Sequence, residues 1–340
     1  MNNSLIIGFG ERVKNTVIPA LKLINDGDIY IYSKTFEKLV LKENKYEFKP
    51  IKNITNTLLE NIQRIFICTP NDIFLEIVQN ISKFEVKKIN LYVDTPIIPK
   101  ISNINIEKYK KEFKNVFVLE DFYYNPLNQI IQKIINDNNL NTINKIEYVN
   151  SGHSYHSIAQ SRYILNKPSI FFGYKIKNIV SYFSLKSKIK IYGKRSEKGY
   201  TLIQTSKGNL TINIQNKKSD FKIDYVFDEN IICGYNLNNL KIKLSEELVA
   251  NFRLLKIICK RYNIELRTLQ EQIISFVTLI NESEKKISKK YYLGDGIKDS
   301  LISATVNKTN MYFDVYFYKK SLLYLILRFY LYLMNFKKNN

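Results

Sequence analysis

The chain has 340 residues, of which 45% are hydrophobic and 24% are charged, as is typical of a globular protein with two domains. This composition excludes a disordered or collagen-like chain, and three widely spaced cysteines argue against a zinc cluster or a disulfide framework. The net charge of +21 comes mostly from lysines spread along the whole chain. Dispersed lysines are typical of a solvated surface, so we do not expect nucleic acid as a partner.

The ends of the chain predict neither a signal peptide nor a membrane span. The first residues lack the basic side chains of a secretory signal, so we expect a cytoplasmic protein. The longest apolar run, 322–334, includes Arg328 and is too short for a transmembrane helix. With the lysines that follow, the segment 322–338 could lie on an anionic membrane surface, but packing against the chain's own sheet or a partner subunit is favoured.

The first third of the chain alternates predicted strands with predicted helices. Strands are expected at 4–7, 29–32, 65–68, 89–93 and 116–119, and helices at 13–24, 35–43, 72–83 and 104–112. This alternation predicts βαβ units and a parallel sheet of the Rossmann type.

After residue 126 the pattern changes. A helix is expected at 127–138, a strand at 145–149, at least five strands between 188 and 243, helical segments over 246–287, and a last helix at 317–336. Short strands with turn signals between them predict an α+β unit with an open, mainly antiparallel sheet. We place the boundary at residue 122, which gives domains of 1–122 and 123–340.

The first strand ends in two glycines, in the pattern Gly8-x-Gly10-x-x-Val13, and a predicted helix follows. In a dinucleotide fingerprint the first glycine makes a tight turn and the second lets the pyrophosphate approach the backbone at the helix N-terminus. Val13 replaces the third small residue, so strand and helix should pack slightly farther apart. Two glycines also occur in ordinary strand-to-helix turns, but with the βαβ alternation they predict nucleotide binding.

The end of the second strand, Tyr32-Ser33-Lys34-Thr35, predicts which cofactor binds. An NAD site normally carries a carboxylate here for the ribose 2′-hydroxyl, whereas a hydroxyl and a cation suit a 2′-phosphate. We therefore predict NADP(H), with NAD(H) as the second choice, and Arg12 as a further cation for the phosphate. The alternative interpretation is that Lys34 is merely solvated.

Five segments resemble the glucose–fructose oxidoreductase, inositol dehydrogenase and related family (Gfo/Idh/MocA) over about residues 1–126. They are Ile-Gly-Phe-Gly at 7–10, Pro-Ala-Leu at 19–21, Ile-Cys-Thr-Pro-Asn at 67–71, Val-Asp-Thr-Pro at 93–96 and Glu-Asp-Phe-Tyr-Tyr-Asn-Pro at 120–126. The resemblance implies a nucleotide-binding domain followed by a sheet that carries a small-molecule substrate and often makes a homodimer or higher homo-oligomer. It also implies cofactor contacts by Thr69, Pro70, Asn71, Asp94 and Pro96.

One departure from the family concerns catalysis. The usual Glu-Lys-Pro looks like Asp94-Thr95-Pro96 here, so the lysine that commonly helps proton transfer is a threonine. Thr95 can hydrogen-bond a substrate oxygen but cannot act as a cationic acid.

The two histidines of the chain, His153 and His156, are the predicted replacements. They follow a strand at the start of the second domain, where the family places residues that face the substrate, and histidine exchanges protons near neutral pH. His156 is our first choice as proton donor, His153 the second, and Arg162 a substrate contact. Tyr124 could reach the cleft, but because the chain has 25 tyrosines, packing is the favoured role. No metal is expected, because no third ligand lies near the histidines in the sequence.

These observations predict an NADP(H)-dependent oxidoreductase that acts on a sugar, a sugar nucleotide or a related small metabolite. The substrate class depends on the resemblance alone, since a fold does not fix a substrate. Two alternatives stay open: an NADPH-dependent imine reductase that uses His156 or Tyr124 as acid, and a catalytically inactive nucleotide-binding scaffold.

Overall fold

The computed structural model describes residues 2–24, 27–95, 111–140, 142–151, 154–166, 170–193, 196, 198–212, 219–284 and 291–313. The predicted helix at 317–336 and most of that at 104–112 lie outside these residues, as do the apolar run 322–334, Pro96 and His153.

The N-terminal sheet consists of six parallel strands in the order β3-β2-β1-β4-β5-β6. All residues of β1 and β4 are buried, as expected for parallel strands that helices cover on both faces. The predicted Rossmann-type sheet is therefore confirmed. Its strands are β1 (Ser4–Ile7), β2 (Ile29–Tyr32), β3 (Lys49–Ile51), β4 (Arg64–Ile67), β5 (Asn90–Asp94) and β6 (Asn115–Leu119).

The helices of this part differ from the prediction at 35–43 and at 56–59. A π-helical turn, Val13–Val17, continues as α1 (Ile18–Leu23), and α5 (Asn71–Ile81) matches the helix expected at 72–83. The single helix expected at 35–43 is instead two short helices, α2 (Phe36–Val40) and α3 (Glu43–Tyr46), and α4 (Asn56–Leu59) follows β3. Strand β3 escaped prediction because it has only three residues and contains Pro50, which an edge strand tolerates.

The second sheet has ten strands in the order β15-β14-β13-β12-β11-β7-β10-β9-β8-β16. Only the β12–β13 and β7–β10 neighbours are parallel, so the prediction of a mainly antiparallel sheet is confirmed. The strands are β7 (Ile143–Val149), β8 (Ile170–Ile176), β9 (Ile179–Ser184), β10 (Lys188–Tyr192), β11 (Tyr200–Thr205), β12 (Asn209–Ile212), β13 (Phe221–Asp228), β14 (Ile231–Leu237), β15 (Leu240–Lys241) and β16 (Met311–Phe313).

The remaining helices link the two sheets. They are α6 (Pro126–Asp137), α7 (Ser154–Ile164), α8 (Glu246–Tyr262), α9 (Arg267–Glu284) and α10 (Leu293–Thr309). Helices α8 and α9 pack against α1, which follows the first strand of the N-terminal sheet. An ion pair at 2.6 Å joins Arg64 of β4 to Glu284 at the end of α9. The hydroxyl groups of Tyr92 and Ser283 hydrogen-bond at 2.7 Å. Segments beyond residue 122 thus help to bury the N-terminal sheet. The domain boundary at residue 122 and the assembly into a homo-oligomer stay predictions.

None of the helices in the part of the chain that the structure describes is long and apolar enough to cross a membrane.

Candidate functional site

The glycine turn lies where the order of the first sheet reverses. Strand β1 is flanked by β2 on one side and β4 on the other, and ligands of such sheets bind outside the carboxyl ends of the strands at this point. Gly8 adopts a φ of 108°, and its N–H donates to the carbonyl oxygen of Tyr32 at 2.9 Å. A Cβ at Gly8 would clash with the carbonyl oxygen of Cys68, so only glycine fits there.

Gly10 has the opposite environment. A Cβ at Gly10 would meet no heavy atom within 4 Å among the described residues, so its backbone faces open space. The hydroxyl oxygen of Thr69, at the end of neighbouring β4, is buried without a hydrogen-bond partner in the described structure. A backbone open to close approach, beside a polar group that lacks a partner, fits the pyrophosphate of a dinucleotide. Pro70 and the first residue of α5, Asn71, follow at the same edge of the sheet.

This contrast gives a paired test of the turn. We expect Gly8→Ala to lower the free energy of unfolding by at least about 1–3 kcal/mol, because alanine is strained at positive φ and would clash with Cys68. We expect Gly10→Ala to leave stability nearly unchanged but to weaken NADPH binding by about tenfold or more, because its methyl group lies where the pyrophosphate approaches. Thermal unfolding and a cofactor titration measure the two effects. Unchanged NADPH affinity in Gly10→Ala would contradict this placement of the cofactor.

The loop after β2 contains the predicted residues for the 2′-phosphate. The backbone N–H of Thr35 lies 3.4 Å from Ser33 Oγ, and the two hydroxyl oxygens lie 3.4 Å apart. Lys34 is exposed. The loop therefore offers two hydroxyl groups and an exposed cation to a ligand at the end of β2.

Arg12 points away from that loop, toward the ends of β5 and β6. Its Nε lies 2.9 Å from Asp94 Oδ1, and its Nη2 lies 3.2 Å from Asp121 Oδ1. The same Nη2 donates to the carbonyl oxygen of Leu119 at 3.1 Å, and the guanidinium lies 5.1 Å from the ring centre of Phe276 in α9. We therefore place Arg12 in an acidic network and leave it out of the phosphate site.

A carboxylate and a histidine meet beside this network. His156 Nδ1, on α7, lies 2.7 Å from Glu120 Oε1, which also accepts from the backbone N–H of Phe122 at 3.2 Å. Glu120 is completely buried, and the His156 side chain is 13% exposed. Burial raises the pKa of Glu120, and the nearby His156 opposes that shift. An ionised Glu120 can only accept, so beside it Nδ1 carries the proton and Nε2 is the nitrogen that can take up another.

Aromatic rings hold the imidazole in place. The ring centre of His156 lies 4.6 Å from that of Phe122 and 4.0 Å from that of Tyr155. Burial raises the pKa of Tyr155, and the Thr95 side chain beside its hydroxyl opposes this shift. The backbone N–H of Thr95 donates to Asp94 Oδ1 at 2.9 Å. The structure thus brings the predicted residues Asp94, Thr95 and His156 together at one edge of the sheet.

Three of these side chains could in principle bind a cation. Glu120, Asp121 and His156 offer ligand atoms that all lie within 4.8 Å of one another. Arg12 already pairs with Asp121, and His156 already pairs with Glu120. These contacts already engage ligand atoms of all three side chains, and we assign no metal to the cluster.

Sequence reasoning missed Glu120 and Asp121 as functional residues. Both belong to the segment that carries the family resemblance, but their chemistry was not used in the prediction. The signal was present: two adjacent acids directly follow an apolar strand, at the edge of the sheet where ligands bind. Both are buried, with 0% and 1% of their surface exposed, and a buried acid needs a partner.

Two predicted site residues lie in the core instead. Tyr124 is 1% exposed, and its hydroxyl accepts from the backbone N–H of Tyr291 at 2.8 Å. Arg162 is 5% exposed, and its Nε lies 2.6 Å from Asp299 Oδ1. Because these contacts engage both side chains inside the protein, the structure contradicts a catalytic Tyr124 and a substrate-binding Arg162.

A small polar cavity adjoins the histidine through Phe122, which forms part of its wall. Its volume of about 40 Å³ suits a few water molecules but not a sugar ring. It is also lined by Ser151, Gln160, Thr201, Arg267 and Glu271. We therefore do not place the substrate in this cavity.

Comparison with known proteins identifies the fold. No protein-family model and no curated protein matches the chain. Among solved structures, myo-inositol 2-dehydrogenase from Lactobacillus plantarum is 13% identical with a TM-score of 0.58, over 92% of this chain and 99% of that one. Scyllo-inositol dehydrogenase from Lactobacillus casei, solved with NAD(H) and scyllo-inositol, is 13% identical with a TM-score of 0.57, over 92% and 99% of the two chains.

A third structure of this fold comes from a yeast. The super-repressor mutant of Gal80p from Saccharomyces cerevisiae is 12% identical with a TM-score of 0.59, over 91% of this chain and 96% of that one. Together these similarities confirm the predicted two-domain fold of the Gfo/Idh/MocA type. At this level of identity they establish the fold alone, so function must be argued from the site.

Proposed function

We propose that the chain is a nicotinamide-dependent oxidoreductase that acts on a hydroxylated carbon of a sugar-like small molecule. The observation that carries this proposal is the buried Glu120–His156 pair. It lies at the same edge of the sheet as the Gly8–Gly10 turn, whose backbone is open to a dinucleotide. A fold shared with a dehydrogenase that binds NAD(H) and scyllo-inositol supports the cofactor and the substrate class.

Oxidation of an alcohol to a carbonyl removes one hydride from carbon and one proton from oxygen. The bound nicotinamide supplies the hydride acceptor, and the donor in the reverse reaction. Neutral His156 takes the hydroxyl proton on Nε2 while Nδ1 keeps its bond to Glu120. The carboxylate of Glu120 stabilises the imidazolium that results, and the rings of Phe122 and Tyr155 fix its orientation.

This assignment explains how the chain manages without the usual lysine. Thr95 has no titratable group, but its hydroxyl group lies beside Tyr155 and can hydrogen-bond a substrate oxygen. Proton transfer then passes to His156, which comes from a different part of the chain. Asp94, at the end of β5, holds Arg12 and the backbone of Thr95 in position.

For the cofactor we propose NADP(H) over NAD(H), because Ser33 and Lys34 can bind a 2′-phosphate. We expect Lys34→Ala to weaken NADPH binding by roughly ten- to a hundredfold, because a charge-assisted hydrogen bond contributes about 1.5–3 kcal/mol. NADH affinity should stay unchanged, since NADH lacks the phosphate. Ser33→Asp should reverse the preference, because an acid repels the phosphate and accepts a bond from a ribose 2′-hydroxyl.

The matched control for Lys34 is Lys87→Ala, which removes the same charge from an exposed residue ahead of β5, at the opposite edge of the sheet. Fluorescence titration of each variant with NADPH and NADH measures both affinities. Equal weakening of the two cofactors by Lys34→Ala would show that this lysine does not bind the phosphate. A preference of the unmutated chain for NADH would contradict the proposal.

The activity itself is tested with a panel of inositols, sugars and sugar nucleotides. The purified chain is incubated with NADP⁺ or NAD⁺, and formation of the reduced nicotinamide is followed by absorbance. We expect turnover of at least one polyhydroxy compound, and turnover about 10²–10⁴-fold slower when His156 is replaced by alanine. Reduction of cyclic imines without alcohol oxidation would favour the imine reductase. Cofactor binding without any turnover would favour the inactive scaffold, a use compatible with a fold that Gal80p also adopts.

A further inference from the structure

More acidic than basic side chains lie at the carboxyl ends of β5 and β6, and most of them are buried. Asp94, Glu120 and Asp121 lie there with Arg12 and His156, and their side chains are 17%, 0%, 1%, 24% and 13% exposed. Arg12 bridges two of the acids, and His156 contacts the third. With His156 neutral, as a proton acceptor must be, three carboxylates face one permanent cation.

The hydrogen bonds of the network leave part of this negative charge uncompensated. Within the described structure, the imidazole of His156 and the backbone N–H of Phe122 both donate to Oε1 of Glu120. Its other oxygen, Oε2, is buried and receives no hydrogen bond from the described residues. Burial raises the pKa of Glu120 and of Asp94, which means that the ionised acids are costly without a further cation.

The topology indicates which part of the cofactor lies near this network. In a sheet of this order the pyrophosphate lies at the end of β1 and the adenine ribose at the end of β2. The nicotinamide half of the cofactor then extends over the other side, toward β4, β5 and β6. Its ring carries a positive charge when oxidised and no charge when reduced.

We propose that Asp94, Glu120 and Asp121 form a negatively charged wall that makes this site bind the oxidised nicotinamide more tightly than the reduced form. This inference rests on the proposed function, because it presupposes a nicotinamide cofactor. Tighter binding of the oxidised form also makes the bound reduced cofactor a stronger hydride donor than it is in solution. The acids thus select a redox state, whereas Ser33 and Lys34 select between NADP(H) and NAD(H).

The test is the ratio of the dissociation constants of NADPH and NADP⁺, measured by isothermal titration calorimetry without any substrate. In the unmutated chain we expect NADP⁺ to bind more tightly. Asp121→Asn and Glu120→Gln each keep the shape of the side chain and remove one charge. Each should lower the preference for NADP⁺ by on the order of tenfold, as expected for one unit charge within about 10 Å at an effective dielectric constant of about 20.

The matched control is Asp28→Asn, which removes the same charge from an exposed ion pair with Lys49 just ahead of β2, at the opposite edge of the sheet. In Asp28→Asn the ratio of the dissociation constants of NADPH and NADP⁺ should stay within twofold of its value in the unmutated chain. A ratio that changes less than twofold in both Asp121→Asn and Glu120→Gln overturns the inference, as does an equal change in Asp28→Asn. If neither NADPH nor NADP⁺ binds the unmutated chain, the proposed function itself fails. That outcome differs from failure of the inference, in which both forms bind but the ratio does not respond to the loss of the acids.

Discussion

Replacement of His156 by alanine is expected to lower kcat by about 10²–10⁴-fold and to leave NADPH affinity unchanged, because general acid–base catalysis contributes this much and the imidazole lies away from the phosphate sites. His156 is the histidine whose ring is held by a carboxylate at 2.7 Å and by two aromatic rings. Steady-state kinetics on the substrate found in the panel, together with a cofactor titration, measures both quantities.

Glu120→Gln distinguishes proton transfer from simple packing at this site. Glutamine keeps the size of the side chain and can still accept from His156 Nδ1, but it does not stabilise the imidazolium by charge. We expect kcat to fall with little change in KM or thermal stability, and by less than in His156→Ala. If His156→Ala turns over at the unmutated rate, His156 is not the proton acceptor and the proposed mechanism is wrong.

Replacement of Asp299 by alanine is expected to lower the free energy of unfolding by about 3–5 kcal/mol, because it leaves the buried guanidinium of Arg162 without its carboxylate. Asp299 is completely buried and accepts from Arg162 Nε at 2.6 Å and from the Tyr291 hydroxyl at 2.7 Å. This pair ties α10 to α7, the helix that carries His156. Chemical denaturation of the variant and the unmutated chain measures the loss.

Two further variants separate this effect from a general loss of charge. Asp228→Ala breaks an exposed ion pair with Lys256 at 2.7 Å and should cost no more than about 1 kcal/mol. A double variant, Arg162→Met with Asp299→Leu, removes both buried charges and should recover most of the stability lost in Asp299→Ala. A loss in Asp299→Ala as small as that in Asp228→Ala would contradict the structural role of the pair.

The same carboxyl group makes stability depend on pH. Burial raises the pKa of Asp299 from its ordinary value of 3.8 to about 6, although Arg162 and the Tyr291 hydroxyl oppose this shift. The folded chain therefore retains a proton there between pH 4 and 6 that the unfolded chain releases. The stability that this bound proton adds to the folded state is fully present below pH 3.8, the ordinary pKa of an aspartate in the unfolded chain. It is lost as the pH rises through about 6, the pKa of Asp299 in the folded chain. The unmutated chain should lose more stability over this range than Asp299→Asn.

The sequence predicted those parts of the fold that depend on neighbouring residues. The glycines at 8 and 10, most of the alternating strands and helices of the first third, and the turn-rich strands between 188 and 243 were correctly placed. Strands β3, β8, β9 and β16 were not predicted. Helix α7 escaped a definite prediction because buried polar residues such as Ser157, Ser161 and Arg162 interrupt its apolar pattern. Helix α10 was not predicted, because its first turn contains two glycines, which disfavour a helix. Gly296 fits there because a Cβ would lie 2.8 Å from the side chain of Val118.

The candidate site was predicted less completely, because its contacts join distant parts of the chain. His156 was identified from its residue type and position, and Asp94 from the family resemblance. The partner of His156 lies 36 residues away, and Asp121, which contacts Arg12, lies 109 residues away. No local pattern shows which charged side chains will meet after folding. Sequence alone therefore could not tell that Arg12 binds acids, or that Arg162 belongs to the core.

The central claim, that a nicotinamide dinucleotide binds at the Gly8–Gly10 turn, is tested most directly by titrating the unmutated chain and Gly10→Ala with NADPH while the cofactor fluorescence is recorded. We predict that NADPH binds the unmutated chain below millimolar concentration, and that Gly10→Ala binds NADPH about tenfold or more weakly while it unfolds at the same temperature. If neither NADPH nor NADH binds the unmutated chain below millimolar concentration, the account is contradicted.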